Sequence, residues 1–175
     1  VVDVIDPMIE YLAKNYIDKT IGLIGTKQTV NSNIYRKKLD ELGINIQLNT
    51  LATPLLVPLI EEGFIDQTIM TDAIKSYLNE SSLHNLDALV LGCTHYPLIK
   101  QHIKQFYNDA TVIIDSTDIV AEVVKNILKG NKLLALSSNA PKKKFYVSDY
   151  TSAFSALAHL FFKMPIILER YPLWE

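Results

Sequence analysis

Leu86-Asp87-Ala88-Leu89-Val90-Leu91-Gly92-Cys93-Thr94-His95-Tyr96-Pro97-Leu98-Ile99 decides how the chain folds. Residues 88–91 form an unbroken apolar run that Gly92 stops. The run is too short for a typical helix and reads as a strand buried on both faces. Pro97 suits the first turn of a helix, where a missing N–H costs nothing. Between strand and helix stand a thiol, a hydroxyl and an imidazole. In a parallel sheet the carboxyl ends of strands are where ligands bind, so this turn is a natural seat for chemistry.

The flanking sequence repeats the alternation. Residues 1–5 are short and β-branched and predict a strand. Asp6-Pro7 opens a helix with Met8, Ile9, Tyr11 and Leu12 on one face. Residues 21–24 predict a buried strand, broken by residues 25–29. Val30, Ile34, Leu39 and Leu42 mark one helix, with Gly43 at its C-terminal cap. Residues 44–50 alternate as a strand does. Residues 54–60 read as a short buried helix, and residues 68–78 as a second with Ile69, Ala73, Ile74 and Tyr77 inward. Downstream come a helix over 97–106, a strand over 111–115 and a helix over 119–128 that Gly130 stops. This order predicts an α/β fold: a doubly wound, mostly parallel sheet covered by helices on both faces.

Beyond Gly130 the composition changes. Residues 131–144 are rich in Asn, Ser and Lys and predict a loop containing Pro141. A short strand over 145–147, a helix over 150–162 with Phe154, Leu157, Ala158 and Phe161 on one face, and a strand over 165–168 follow. This tail is too small to bury a core alone and must pack on something else. Tyr171 and Trp174 read as packing residues against a partner surface, and residues 142–144 as a solvated basic turn. Val1 is not methionine and the chain opens inside an expected strand, which predicts missing upstream sequence.

The 175 residues are 49% apolar, enough for a real core, and carry a net charge of −2. Without a basic stripe no nucleic-acid partner is expected, and without a long apolar run no membrane partner. The single cysteine excludes an internal disulfide and a Cys-rich metal site, and it fits a reducing, cytoplasmic setting.

Three loops leave strands at the expected ligand-binding end: residues 25–29, 50–54 and 92–96. In the third, Cys93 is the candidate nucleophile or base. A helix N-terminus and the imidazole of His95 should both favour its thiolate. The plainer reading is a buried, inert cysteine. His95 is a candidate proton relay or merely a capping group. Thr26 is a candidate N-cap. Thr26 and Thr29 also flank free N–H groups that suit a carboxylate or phosphate. Glu61 reads as a solvated helix edge, and His84, His102 and His159 as linker or surface groups.

The run at residues 91–99 closely resembles the second cysteine motif of the glutamate racemases. Ile24-Gly25-Thr26-Lys27-Gln28-Thr29, with Asn31-Ser32-Asn33 and Tyr35, is similar to that family's Gly-Thr-x-x-Thr loop and helix. Val57-Pro58-Leu59-Ile60-Glu61, Ile5-Asp6-Pro7 and Ile114-Asp115-Ser116 resemble further family segments. The resemblance implies a flavodoxin-like racemase domain and cofactor-independent inversion of glutamate by two cysteines on opposite faces. It assigns Cys93 as one catalytic cysteine with His95 assisting, Thr94, Thr26 and Thr29 as substrate-binding residues, and Glu61 as a carboxylate near the site. It further implies no cofactor, no metal and supply of D-glutamate for peptidoglycan, and it is compatible with a homodimer. The family's first half, with its other cysteine, has no counterpart in this sequence. Residues 1–116 are therefore expected to be the second racemase domain, and residues 117–175 a segment returning to complete an absent first one. On that expectation the chain alone is inactive. An aspartate or other amino-acid racemase, a non-catalytic binding fragment and a Cys–His acyl transferase or hydrolase stay open.

Overall fold

The computed structural model describes residues 1–108, 110–135, 142–162, 164 and 166–172. Residues 1–5 are not the expected strand. Val1, Val2 and Val4 are exposed, Ile5 is partly buried against the core that includes Met8 and Leu12, and Asp3 bends the segment into a turn. Its carboxylate accepts from the N–H groups of Ile5 and Asp6 at 2.7 and 2.8 Å. The turn launches α1 (Asp6–Asn15), with Pro7 in the first turn and Met8, Ile9 and Leu12 buried.

The apolar run at 21–24 lies within β1 (Thr20–Gly25), and α2 (Lys27–Asn31) follows. The single helix expected from Val30 to Leu42 is broken. Asn33 adopts the left-handed conformation (φ +54°) and α3 (Ile34–Glu41) starts anew behind it. Gly43, at φ +65°, closes α3 as expected. β2 (Gln47–Ala52) begins later than residue 44 because Ile44, Asn45 and Ile46 form the approach to the sheet. Then come α4 (Leu56–Glu61) and α5 (Thr68–Leu78). α5 has the expected bounds but a rotated face: Met70, Ile74 and Leu78 are buried, while Ile69 is 51% exposed.

β3 (Ala88–Gly92) follows, then a 3-10 turn (Tyr96–Ile99) that runs into α6 (Lys100–Phe106). β4 (Val112–Ile114) leads to α7 (Ser116–Gly130), capped by Asp115, whose carboxylate accepts from Thr117 N–H at 2.8 Å and from Lys100 Nζ at 2.6 Å. The tail forms β5 (Phe145–Val147), α8 (Ser152–Phe162) and β6 (Leu168–Arg170). In α8, Leu157 and Ala158 are buried, whereas Phe154 and Phe161 stay over 40% exposed. The last strand lies later than expected; residues 136–141 of the expected loop, among them Pro141, as well as Pro165 and Trp174, lie outside the described residues.

The main sheet has the order β2-β1-β3-β4 with every pair parallel. Alternate strand residues feed two cores. Ile24, Leu89, Leu91 and Ile113 meet α4, α5 and α6. Ile21, Leu23, Leu48, Ala88, Val90 and Ile114 meet α1 and α3 on the other face. β5 and β6 form a separate parallel pair. The central strands β1 and β3 are neighbours although β2 lies between them in sequence. Their following loops therefore turn to opposite faces, opening a crevice at their carboxyl ends.

Candidate active site

The crevice is shaped by two glycines. Gly25 and Gly92 end β1 and β3 in register. A Cβ on Gly92 would stand 2.8 Å from Leu23 Cδ1 and 3.0 Å from the carbonyl oxygen of Ile24. A Cβ on Gly25 would crowd the side chain of Thr29 at 3.2 Å. Without side chains, the two strand ends let Thr29 lie across them.

Around this point a cleft of about 280 Å³ is lined by Thr26, Thr29, Tyr35, Cys93, Thr94 and Ser116, among others. Thr26 caps α2, its hydroxyl accepting from Thr29 N–H at 3.2 Å. The two threonine hydroxyls lie 3.1 Å apart. Burial, with the charge of Asp3, pushes the Tyr35 phenol up to about 12, so it remains a hydroxyl.

Cys93 is half-buried and forms no disulfide. Its Sγ lies 3.9 Å from His95 Nδ1, and His95 Nε2 lies 3.1 Å from Glu61 Oε1. The three make a file from cleft to surface: thiol, imidazole, carboxylate. With Nε2–H donated to Glu61, the neutral ring presents the Nδ1 lone pair to sulfur. Phe161 of α8 stands edge-on to the imidazole, with centroids 6.3 Å apart.

Two expectations change here. The thiolate is not favoured at rest. Burial raises the Cys93 thiol above its ordinary value, and Glu61 adds to the rise, against the backbone N–H groups of His95 and Tyr96. The chain behind Cys93 is also a short 3-10 turn rather than the start of an α-helix, so little helix dipole reaches the sulfur. Glu61 is not merely a solvated edge. It remains half-exposed, but it faces His95.

Of the expected site residues, Thr26, Thr29, Cys93 and Thr94 share the cleft, while His95 and Glu61 stand behind Cys93. His84 and His159 are exposed as expected, whereas His102 is mostly enclosed, with Nε2 3.8 Å from Asp66. Tyr35, Ser116 and Phe161 were not singled out as site residues. Tyr35 and Ser116 stand in segments that carry the family resemblance, and Phe161 read as an apolar-face position. Among the described residues no group of three or more His, Cys, Asp or Glu could hold a metal ion. No described helix is long and apolar enough to cross a membrane.

The family model for Asp/Glu/hydantoin racemases matches residues 1–124. This chain belongs to that family. Among relatives, the glutamate racemase of Chlorobium phaeobacteroides is 40% identical over 144 residues, 82% of this chain and 53% of that protein. The glutamate racemase of Sulfurihydrogenibium sp. is 38% identical over 160 residues, 91% of this chain and 59% of that protein. The chain thus spans between half and two thirds of these racemases. The crystal structure of the Francisella tularensis glutamate racemase in complex with D-glutamate superposes with a TM-score of 0.85 at 33% identity, covering 98% of this chain and 63% of that one. The aspartate racemase of Picrophilus torridus is more distant. Its TM-score is 0.51 at 26% identity, over 71% of this chain and 52% of that one.

Proposed function

We propose that this racemase-family chain supplies one of the two acid/base faces of a glutamate racemase. The observation that carries the reading is the file Cys93–His95–Glu61, at 3.9 and 3.1 Å, standing behind a cleft at the β1/β3 switch point. Inverting a carbon centre needs an acid on one face and a base on the other. Cys93 serves one face. As a base, its thiol first gives its proton to Nδ1, and Glu61 holds the imidazolium that results. The thiolate then takes the α-proton. In the opposite direction the neutral thiol, favoured by burial, delivers a proton to the carbanion. Developing charge on the substrate carboxylate is met by the hydroxyls of Thr26, Thr29 and Thr94 and by free N–H groups of the α2 turn.

Glutamate is preferred to aspartate because the nearer relatives are glutamate racemases and the aspartate racemase is more distant. The opposite face is served by a second cysteine, supplied from outside these residues, because Cys93 is the only cysteine here. On this reading residues 1–116 are the domain bearing Cys93. Residues 117–175 return to complete the absent first domain; the exposed aromatic side chains from Tyr146 onward favour this reading, whereas Ile119 of α7 packs against the core that faces α1. The product would be D-glutamate for peptidoglycan, made in the cytoplasm, with a homodimer as a natural assembly.

The test is α-carbon isotope exchange in heavy water. The 175-residue chain alone should leave L-glutamate unracemised. A polypeptide joining it to the other face should exchange the α-proton in both directions. Cys93→Ala should cut both directions by at least about 100-fold, the lower range for loss of an acid/base group. Full activity in that variant, or turnover by the 175 residues alone, sinks the reading.

A further inference from the structure

The turn that carries Cys93 is anchored by a residue with no part in the proton transfer. Tyr96 is the bulkiest of the fully buried side chains among the described residues. Its hydroxyl lies 2.6 Å from Thr53 Oγ1 and 3.3 Å from the Thr53 carbonyl oxygen. Thr53 is equally buried. Its backbone N–H donates to the Gly25 carbonyl at 2.8 Å, and its hydroxyl lies 3.3 Å from the same oxygen. Either hydroxyl can donate in the 2.6 Å bond, the remaining proton being directed to a backbone carbonyl, that of Gly25 or of Thr53. One hydroxyl pair therefore joins the carboxyl ends of three adjacent strands: β1 at Gly25, β2 through Thr53 and β3 through Tyr96.

We infer that Tyr96 is a positioning residue for Cys93, its bond to Thr53 holding the 93–96 turn so that the main chain of His95 and Tyr96 stays beside Sγ. The inference rests on the acid/base reading of Cys93. Tyr96 N–H donates to the Cys93 carbonyl at 3.2 Å, so the residue that grips Thr53 also closes the turn. The N–H groups of His95 and Tyr96 are what draw the Cys93 thiol downward, against burial and the Glu61 charge. The titratable groups around the sulfur come from several elements. His95 lies on its own turn, Glu61 of α4 stands behind that ring, and Tyr35 of α3 lines the same cleft. Tyr77 of α5 adds to the rise of the Tyr96 phenol, and its own oxygen accepts from Leu55 N–H at 3.2 Å. None of these is tied to all three strand ends as Tyr96 is.

The test reads the sulfur directly. Because the chain has one cysteine, iodoacetamide alkylation followed against pH reports Cys93 alone in the 175-residue protein. Tyr96→Phe removes both hydroxyl contacts to Thr53, Thr53→Val removes the short hydroxyl–hydroxyl bond, and Thr53→Ser keeps both. In the first two, the midpoint of the rate–pH curve should rise by about 0.5 unit, making alkylation at neutral pH about threefold slower. Thr53→Ser should keep the wild-type midpoint. Unfolding moves the readout the other way, because a solvated thiol returns to about 8.5. Circular dichroism confirms that each variant is folded. If Tyr96→Phe does not fold, the Thr53 pair decides alone. A wild-type midpoint in the folded variants that lack the bond, or a downward shift, overturns the inference. Because no substrate is used, the racemase reading can fail in its isotope-exchange test without touching this result. Conversely, Cys93-dependent exchange with an unmoved midpoint removes only the strut.

Discussion

At the scale of single residues, Gly92 is as constrained as the cysteine beside it. A methyl group there would press on the Leu23 side chain, which can shift, and on the Ile24 carbonyl oxygen, which is part of a strand and cannot. Gly92→Ala should therefore cost about 1–3 kcal/mol, the range for overpacking a filled interior. Urea denaturation of the variant against wild type checks this, and an unchanged midpoint would mean that β1 yields. Gly92, Cys93 and His95 could be picked out from the sequence because a glycine closing an apolar run and the chain's only thiol are local signals. The ionisation of Cys93 could not. It is raised by burial, lowered by the N–H groups of His95 and Tyr96, and raised again by Glu61, which lies 32 positions upstream in α4; only the fold brings that carboxylate to His95. The loop 50–54 was placed at the ligand-binding end, but the role of Thr53 in it was hidden, because its partners, Gly25 and Tyr96, are far from it in sequence.

At the scale of elements, the buried strands were the most legible parts, because β1 and β3 are apolar on both faces and need no register argument. The helices between them were harder to bound. The apolar spacing from Val30 to Leu42 suits one helix, yet Asn33 turns left-handed and splits it. Its short amide side chain tolerates that conformation, which periodicity does not register. Asn33→Val should cost about 1–2 kcal/mol, the price of the left-handed region for a residue with a branched Cβ. Asn33→Gly should stay within about 0.5 kcal/mol of wild type, since glycine enters that region freely. Thermal melts of the two variants make the comparison, and equal losses would show that the kink is dispensable. Residues 1–5 misled for a related reason. β-branched residues favour strands, but the Asp3 carboxylate holds the segment as a turn that leads into α1.

At the scale of the whole molecule, the chain is unevenly stabilised. The four-stranded sheet is enclosed by two cores, whereas α7 has no buried residue. Among the described residues from 117 onward, only Leu157, Ala158 and Ile166 are buried, while Tyr146, Tyr150, Phe154 and Ile167 stand 46–82% exposed. Leu157 reaches the core formed by α4, α5 and α6, and Phe161 meets the ring of His95. The tail thus touches the back of the candidate site through a very small apolar contact. Segments with so few buried groups open locally at a free energy below that of global unfolding. Hydrogen exchange should then show the amides of α8 unprotected well before those of β1 and β3. Leu157→Ala removes about 2 kcal/mol of this contact, the low end for a buried leucine because its surroundings are partly open. That should speed exchange in α8 by about 30-fold while leaving β3 unchanged. Equal acceleration in α8 and β3 would instead mean that tail and sheet unfold as one unit. In that case the exposed aromatic surface would not mark a separable segment, and the proposed division at residues 116 and 117 would lose its energetic support.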